Sequence, residues 1–324
     1  MAGVMKSQMS FKKIFGIFFK RFLLPTTAGV IALVFLWRSF PLWTNPFYAS
    51  SKESVTPSNL KDFSLPPTSV ITFKKTPLSS NAQPFNAENS EGKKRIAFIL
   101  SEVGEDVFLT QKALELLPKE VTIVISPHTP KASDWAKKFH QKGHEILASI
   151  DLEPENYPLN DPGPQTILTK LSPQMMESRL SSLLKKVPYA LGVTHESGNL
   201  FVTQAPALKI WLQILQDKGL SLLDMVLSPQ TLIPELALKN DHPFLMVDSS
   251  LSRLRLTREN FDSLVPKEFP KKMIVISLPL SEKGILLIQE SLSQKRSPAI
   301  GMKKHASPIA LIPFSFALKH RDKG

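Results

Sequence analysis

Cysteine is absent from all 324 residues, which excludes disulfides and thiolate metal sites. The absence leaves the redox compartment open, because exported and cytoplasmic chains alike can fold without it. Glycine is sparse at 13 residues, and none of them forms a phosphate-cradling loop or the Gly-x-Ser-x-Gly turn that exposes a nucleophilic serine. Net charge is missing from the middle of the chain. Residues 1–43 carry Lys6, Lys12, Lys13, Lys20, Arg21 and Arg38 with no acid. Residues 295–324 carry seven Lys/Arg against Asp322 alone, so the two ends account for the whole formal charge of +12. A nucleic-acid binder usually carries its basic patch on the folded domain. The near-neutral stretch 44–294 therefore points away from nucleic acid as a partner.

What is present begins with an apolar run. Phe22 to Trp37 reads FLLPTTAGVIALVFLW without a charge. As a helix it spans ~24 Å, somewhat short of the ~30 Å hydrocarbon core. Snorkelling Arg21 and Arg38 and interfacial Trp37 and Trp43 cover the difference. Five Lys/Arg precede the run and one follows closely, so the positive-inside rule places residues 1–21 in the cytoplasm. The expectation is a transmembrane anchor at 22–43 in the inner membrane, with the folded bulk in the periplasm. The alternative is a cleaved leader, but WRSFPLW follows the run where small residues would be needed. Residues 44–93 hold Pro, Ser and Asn throughout with no period, which reads as a flexible tether of about 40 Å rms reach. A domain at 94–318 and a basic tail at 319–324 complete the organisation.

From Arg95 onward, short apolar runs alternate with helical stretches. Strands are expected at 95–101, 121–126, 144–150, 189–194, 220–225, 243–248, 272–278 and 308–313. Helices are expected at 107–117, 133–143 (Ser133 or Asp134 near its N-cap), 172–187, 205–219, 229–239 and 281–293. Such alternation implies α/β architecture with a parallel sheet. Seven or eight strands in ~220 residues fit a distorted or partly open β/α barrel. In a barrel the chemistry sits at the strand C-terminal ends. Those ends hold Ser101-Glu102, Ser126 to His128, Asp151 to Glu153, Thr194-His195-Glu196, Asp224, Asp248 and Ser277-Leu278. Polar residues also begin loops, so spacing alone leaves a functional and a structural reading open. The isolated histidines share no metal-ligand spacing. Trp135 and Trp211 fall at apolar helical positions and read as core or interface rather than as sugar-stacking platforms.

The stretch DLEPENYPLNDPGPQTILTKLS (151–172) resembles the signature of the divergent polysaccharide deacetylases. RIAFILSEVG (95–104), VTIVISPHTP (121–130), GVTHESGNLF (192–201), GLSLLDMVLSPQT (219–231) and IALIPFSFAL (309–318) extend the resemblance in order along the domain. It implies a glycoside hydrolase/deacetylase-type barrel and metal-dependent hydrolysis of an N-acetyl group on an envelope glycan. A zinc-like divalent ion held by Asp and His would polarise the amide carbonyl and activate water. The departures fall on that metal site. Ser101 and Glu102 stand where the family has two aspartates. Thr194-His195-Glu196-Ser197-Gly198 aligns with Asn-Asn-His-Met-Gly, and Ser277-Leu278-Pro279 with Gly-His-Pro. The resemblance thus implies Glu102, His195 and Glu196 as metal ligands, Glu102 and Asp248 as catalytic groups, and Glu153, Asp161 and Asp224 as substrate contacts. Two readings stay open: a metal site rebuilt from these atoms, or a site that has lost its metal and binds a glycan or a protein partner as an envelope scaffold.

Overall fold

A computed structural model of the chain describes residues 81–90, 93–226, 228–264, 273–292 and 309–320. The expected cytoplasmic segment, the anchor and most of the tether lie outside the described residues. No helix among the described residues is long and apolar enough to cross a membrane.

Among the described residues nine strands form one sheet: β1 (Lys94–Ser101), β2 (Thr122–Ile125), β3 (Ile146–Ser149), β4 (Ala190–His195), β5 (Ser221–Asp224), β6 (Phe244–Met246), β7 (Ser249–Ser250), β8 (Met273–Pro279) and β9 (Ile309–Leu311). The order is β6-β5-β4-β3-β2-β1-β8-β7, every pair is parallel, and β9 joins β1. On one edge of β1, β8 runs the full length. The other edge is shared, with β9 on Lys94–Ile96 and β2 on Ile99–Leu100. Among the described residues seven α-helices lie between strands, α1 (Val107–Leu116), α2 (Ala132–Gln141), α3 (Pro173–Leu184), α4 (Ala205–Asp217), α5 (Ile233–Lys239), α6 (Arg258–Leu264) and α7 (Glu282–Leu292), and α8 (Phe314–Lys319) follows β9.

The outermost strands, β6 and β7, are separated by only two residues, and those two reach opposite ends of the sheet. The Val247 amide donates to Asp224 O on β5, and the Asp248 amide donates to Val275 O on β8. One bent segment thus carries the sheet around into a partly open barrel.

Two apolar clusters show which way each side chain faces. Ala97, Ile99, Val124, Leu147, Leu191, Leu223 and Val275 pack together with Phe314 and Phe316 of α8. This is the barrel interior, closed from below by α8. Ile96, Phe98, Leu100, Ile123, Ile146 and Leu222 pack with the surrounding helices in the second cluster. The strands bury both faces, which is why they read as unbroken apolar runs. Trp135 and Trp211 are core residues, as expected.

The floor of the barrel is tied by Glu145, which is fully buried. It accepts from the Ser315 amide (2.8 Å), the Ser315 hydroxyl and the Gln83 amide (3.2 Å). Burial raises its pKa, and the three hydrogen bonds and Lys319 oppose that rise. Phe85 packs edge-on against Phe316 at 4.8 Å, and Asn81 donates to Ala190 O. Asn81, Gln83 and Phe85, within the stretch 44–93 read as a tether, thus pack against the domain. A correction concerns α2. Its N-cap is Lys131, in the left-handed region at φ 58°, with no side-chain cap from Ser133 or Asp134.

Candidate functional site

The strand pleat decides which polar residues face the barrel mouth. On β4, Thr194 pairs with Leu223, an interior residue, and His195 pairs with Asp224, which follows it. Successive side chains alternate, so Thr194 faces inward and His195 outward toward the helices, while Glu196 follows the strand end in a bend. The same rule places Ser101 on β1, Ser149 on β3 and Ser277 on β8 on the inner side. The barrel mouth therefore has an upper interior layer of hydroxyls, Ser101, Ser149, Thr194 and Ser277, beneath an acidic rim. Thr194 is 1% exposed and its Oγ1 has no hydrogen-bond partner.

The rim is built from Glu102, Glu105, Asp151 and Glu196. Glu102 leaves β1 in the left-handed region at φ 60°, a strained conformation for a residue with a side chain. Its carboxylate is held by the Arg253 guanidinium, which also reaches Glu105 at 3.5 Å. Arg253 lies in a short 3-10 turn (Arg253–Arg255) beyond β7. Asp151 lies 4.0 Å from His128 Nε2; burial raises its pKa and the His128 charge lowers it. Glu196 keeps contact with solvent, yet its pKa is pushed up to about 7. Partial desolvation contributes most, followed by the facing charges of Glu102, Glu105 and Asp151. Serine at 101 cannot take a proton from water near neutrality.

His195 has a different environment. It is 1% exposed. Its Nδ1 lies 3.0 Å from the Ser197 carbonyl, which can only accept, so Nδ1 carries a proton. Nε2 faces Asp224 Oδ1 at 3.4 Å. Asp224 in turn accepts from the Val226 amide (3.0 Å) and the Thr231 hydroxyl (3.2 Å). Burial pushes the histidine pKa down and the aspartate pKa up, each opposed by the other's charge. The pair is a closed polar contact behind the sheet.

The remaining sequence-derived candidates are also used internally. Glu153 Oε2 accepts from the Thr169 amide (2.6 Å) and hydroxyl (2.7 Å), while its backbone pairs with Ile167. It pins the 151–172 loop rather than facing the mouth. Asp161 is exposed and accepts from the Gly163 amide at 2.9 Å, closing its own turn. Asp248 Oδ2 accepts from the Val275 amide at 2.9 Å. In the β1/β8 register Val275 pairs with Ala97, four residues before Ser101. That is ~13 Å below the rim at ~3.3 Å per residue. The structure thus brings Glu102 and Glu196 together with Asp151, and it does not bring His195, Asp224, Glu153 or Asp248 to them.

A divalent metal does not fit these donors. Among the described residues no three His, Asp or Glu side chains converge on one point. Glu102 is engaged by Arg253, and neither nitrogen of His195 is open toward the rim. Arg253 went unnoticed in the sequence, and so did Ser149, whereas Ser101, Thr194 and Ser277 stood among the expected strand-end residues. Arg253 has no motif, because its partner is on a distant strand. The hydroxyls had a signal: at or near the end of four strands, two residues without a polar side chain precede Ser or Thr, in ILS, LAS, GVT and VIS.

Comparison with known proteins adds the family context. The profile of the divergent polysaccharide deacetylases matches residues 98–264, slightly more than half of the chain. An uncharacterized protein of Escherichia coli (strain K12), YibQ, is 25% identical over 133 residues. That match covers 41% of this chain and 40% of the relative, so the chain spans well under half of that protein's length. The crystal structure of uncharacterized protein ATU2773 from Agrobacterium tumefaciens C58 superposes with a TM-score of 0.60 at 24% identity. It covers 68% of this chain and 93% of that one, a likeness of fold.

Proposed function

The chain belongs to the divergent polysaccharide deacetylase family, and from that premise we propose that it is a membrane-anchored envelope protein that binds a cell-envelope glycan without deacetylating it. The observation that carries this reading is the double occupation of the ligand positions. Arg253 neutralises Glu102 where a metal would need its charge, and His195 turns away to Asp224. The family reaction needs an ion to polarise the amide carbonyl and to lower the pKa of water. In this chain Ser101 stands at the first-strand base position, and the carboxyl that directly follows β4 is Glu196. With a pKa near 7, Glu196 serves as a hydrogen-bond donor or acceptor to a sugar hydroxyl or amide, a binding role that needs no metal. The apolar run at 22–37 and its basic flank support attachment to the inner membrane with the barrel in the periplasm.

A second reading, a scaffold that recruits envelope proteins, draws on exposed apolar side chains next to the same rim. Val107, Phe108 and Leu254 are 63%, 74% and 96% exposed, and they adjoin the Glu105–Arg253 contact in sequence.

The test is elemental analysis of the full-length protein in mild detergent after dialysis, paired with a sedimentation assay on purified envelope polysaccharide. Absence of a stoichiometric metal together with glycan retention is expected. A stoichiometric ion lost in Glu102→Ala overturns the metal-free reading, and a protein that ignores the glycan turns the search to protein partners.

A further inference from the structure

The floor of the barrel is basic. The strands are parallel, so their N-terminal ends all lie at that end. The turns leading into β1, β2, β3 and β4 expose Lys93, Lys119, Lys142, Lys185 and Lys186 there, and α8, which closes the floor, exposes Lys319. The lysines of adjacent turns are neighbours: a Cβ on Gly143 would meet Lys119 Cδ at 3.4 Å. The acids at this end are Glu88, Glu115, Glu120, Asp217 and Asp241, together with the buried Glu145. Glu115 and Asp217 accept from Gln111 and Gln213, and Glu145 is held by Ser315 and Gln83. Lys94, Arg95 and Lys239 add to the positive side. Two further observations concern the same end. Exposed Leu116, Tyr189 (stacked on His140) and Leu238 stand at these junctions, each close in sequence to an exposed lysine, Lys119, Lys186 or Lys239. The described chain also begins here, where Asn81 donates to Ala190 O at the start of β4 and Phe85 packs on Phe316.

We propose that the floor is a docking surface for the anionic phospholipid headgroups of the membrane that anchors the chain, and that this contact holds the barrel mouth pointing away from the bilayer. The inference rests on the membrane attachment in the reading above and adds the orientation of the barrel to it. Lysines interleaved with a few exposed apolar side chains suit a lipid surface. The ammonium groups meet phosphates, while leucine and tyrosine side chains enter the boundary between headgroups and acyl chains. Attachment upstream of Asn81 favours this end of the barrel over the other. The apolar run 22–37 lies roughly 40 residues before Asn81, and a tether of that length has an rms reach of about 35 Å. Contacts that would be too weak between separate molecules become effective at such range, because the second binding event is then intramolecular. The opposite end adds to the bias. At the mouth, exposed Val107 and Phe108 follow Glu105 and Asp106, and an anionic surface repels those carboxylates. Attraction at the floor and repulsion at the mouth turn the barrel the same way, leaving the rim open to a glycan.

The absence of cysteine allows single thiols to be placed for labelling. Gln141→Cys puts a fluorophore at the floor beside Lys142, and Leu159→Cys puts one on the exposed loop that leaves β3 at the mouth. The full-length protein is reconstituted in nanodiscs of phosphatidylcholine, or of an equal mixture with phosphatidylglycerol, with an acceptor dye on the headgroups. In the anionic discs, energy transfer from the floor label should exceed that from the mouth label by on the order of threefold or more, since the 8-residue β1 separates the two ends by ~25 Å. The preference should shrink in neutral discs and in high salt. It should also shrink in the triple variant Lys119→Gln, Lys142→Gln, Lys186→Gln. It should persist in Lys131→Gln, Lys170→Gln, Lys283→Gln, which removes equal charge from exposed positions near the mouth. Circular dichroism establishes the folding of each variant, and the lipid and salt series tests the inference without any lysine variant. Equal transfer from the two labels, stronger transfer from the mouth, or a floor preference indifferent to lipid charge overturns the inference and leaves the anchor standing, provided the protein co-elutes with the discs. Protein that does not enter the discs overturns both.

Discussion

Glu145 at the floor of the barrel and Glu196 at its mouth are the same residue type, each with a pKa raised above its ordinary value, and they do opposite things. Glu145 is fully buried and accepts three hydrogen bonds, two from Ser315 and one from Gln83. Glu196 is crowded by Glu102, Glu105 and Asp151. Desolvation acts on both, but at the floor it is answered by donors and at the mouth it is compounded by like charge. A carboxylate surrounded by donors is a fastening. One surrounded by carboxylates is held away from its preferred state until something positive arrives.

The largest effect should come from breaking the floor. Glu145→Ala strands the buried Ser315 amide and hydroxyl, frees the half-buried Gln83 amide, and should cost roughly 3–4 kcal/mol of unfolding free energy. A urea titration checks it; a loss below ~1 kcal/mol would put the floor and the mouth on equal terms. Asp224→Ala leaves the Val226 amide and Thr231 hydroxyl without their acceptor, removes the carboxylate beside the buried His195, and should cost about 3 kcal/mol, as breaking a buried pair does. Unchanged metal content in that variant would keep His195 among the structural residues. Gly198 comes next. It has φ 120°, and a Cβ there would lie 2.6 Å from Leu152 Cβ, so Gly198→Ala should cost about 2 kcal/mol and lower the melting temperature.

The smallest effect belongs to the mouth. The folded pKa of Glu196, about 7, lies above its ordinary 4.5, so between those pH values the native state holds the extra proton. Stability from this group is present below pH 4.5 and is lost as pH rises through about 7. Glu196→Gln should therefore be slightly more stable than the parent at pH 8, by less than ~1 kcal/mol once solvent screening is allowed for. The two proteins should converge at pH 4. Thermal melts across that range decide the point, and a variant less stable at pH 8 would mean Glu196 is fastened like Glu145.

Most of the barrel was legible because its strands are buried on both faces and so appear as short unbroken apolar runs, as in RIAFILS and VTIVIS. The parts that were not legible depend on distant partners. The β7 strand is two serines, Ser249–Ser250, whose pairing exists only because β8 lies beside them. The last helix, Phe314–Lys319, is six residues long, too short to show a period, and it is helical because it fills the barrel floor. At the mouth, Glu102 and Glu196 were visible as motif departures. Their fate was set by Arg253 and by the pleat that turns His195 outward, and both are properties of the assembled sheet. Asp248 stands at the apparent end of an apolar run, yet the segment is bent there, so its carboxylate serves the β8 ladder.

The edges of β1 carry a consequence for how the protein is made. The first strand of the sheet finds its partners in the strand that follows it and in the last two strands of the sequence, β8 and β9. A chain emerging residue by residue can pair β1 with β2 early, but it cannot cover the other edge until β8 is released, or plug the interior until Phe314–Lys319 has followed. Synthesis therefore runs nearly to completion before the sheet can close, and a chain that stops short of β9 leaves part of a β1 edge uncovered.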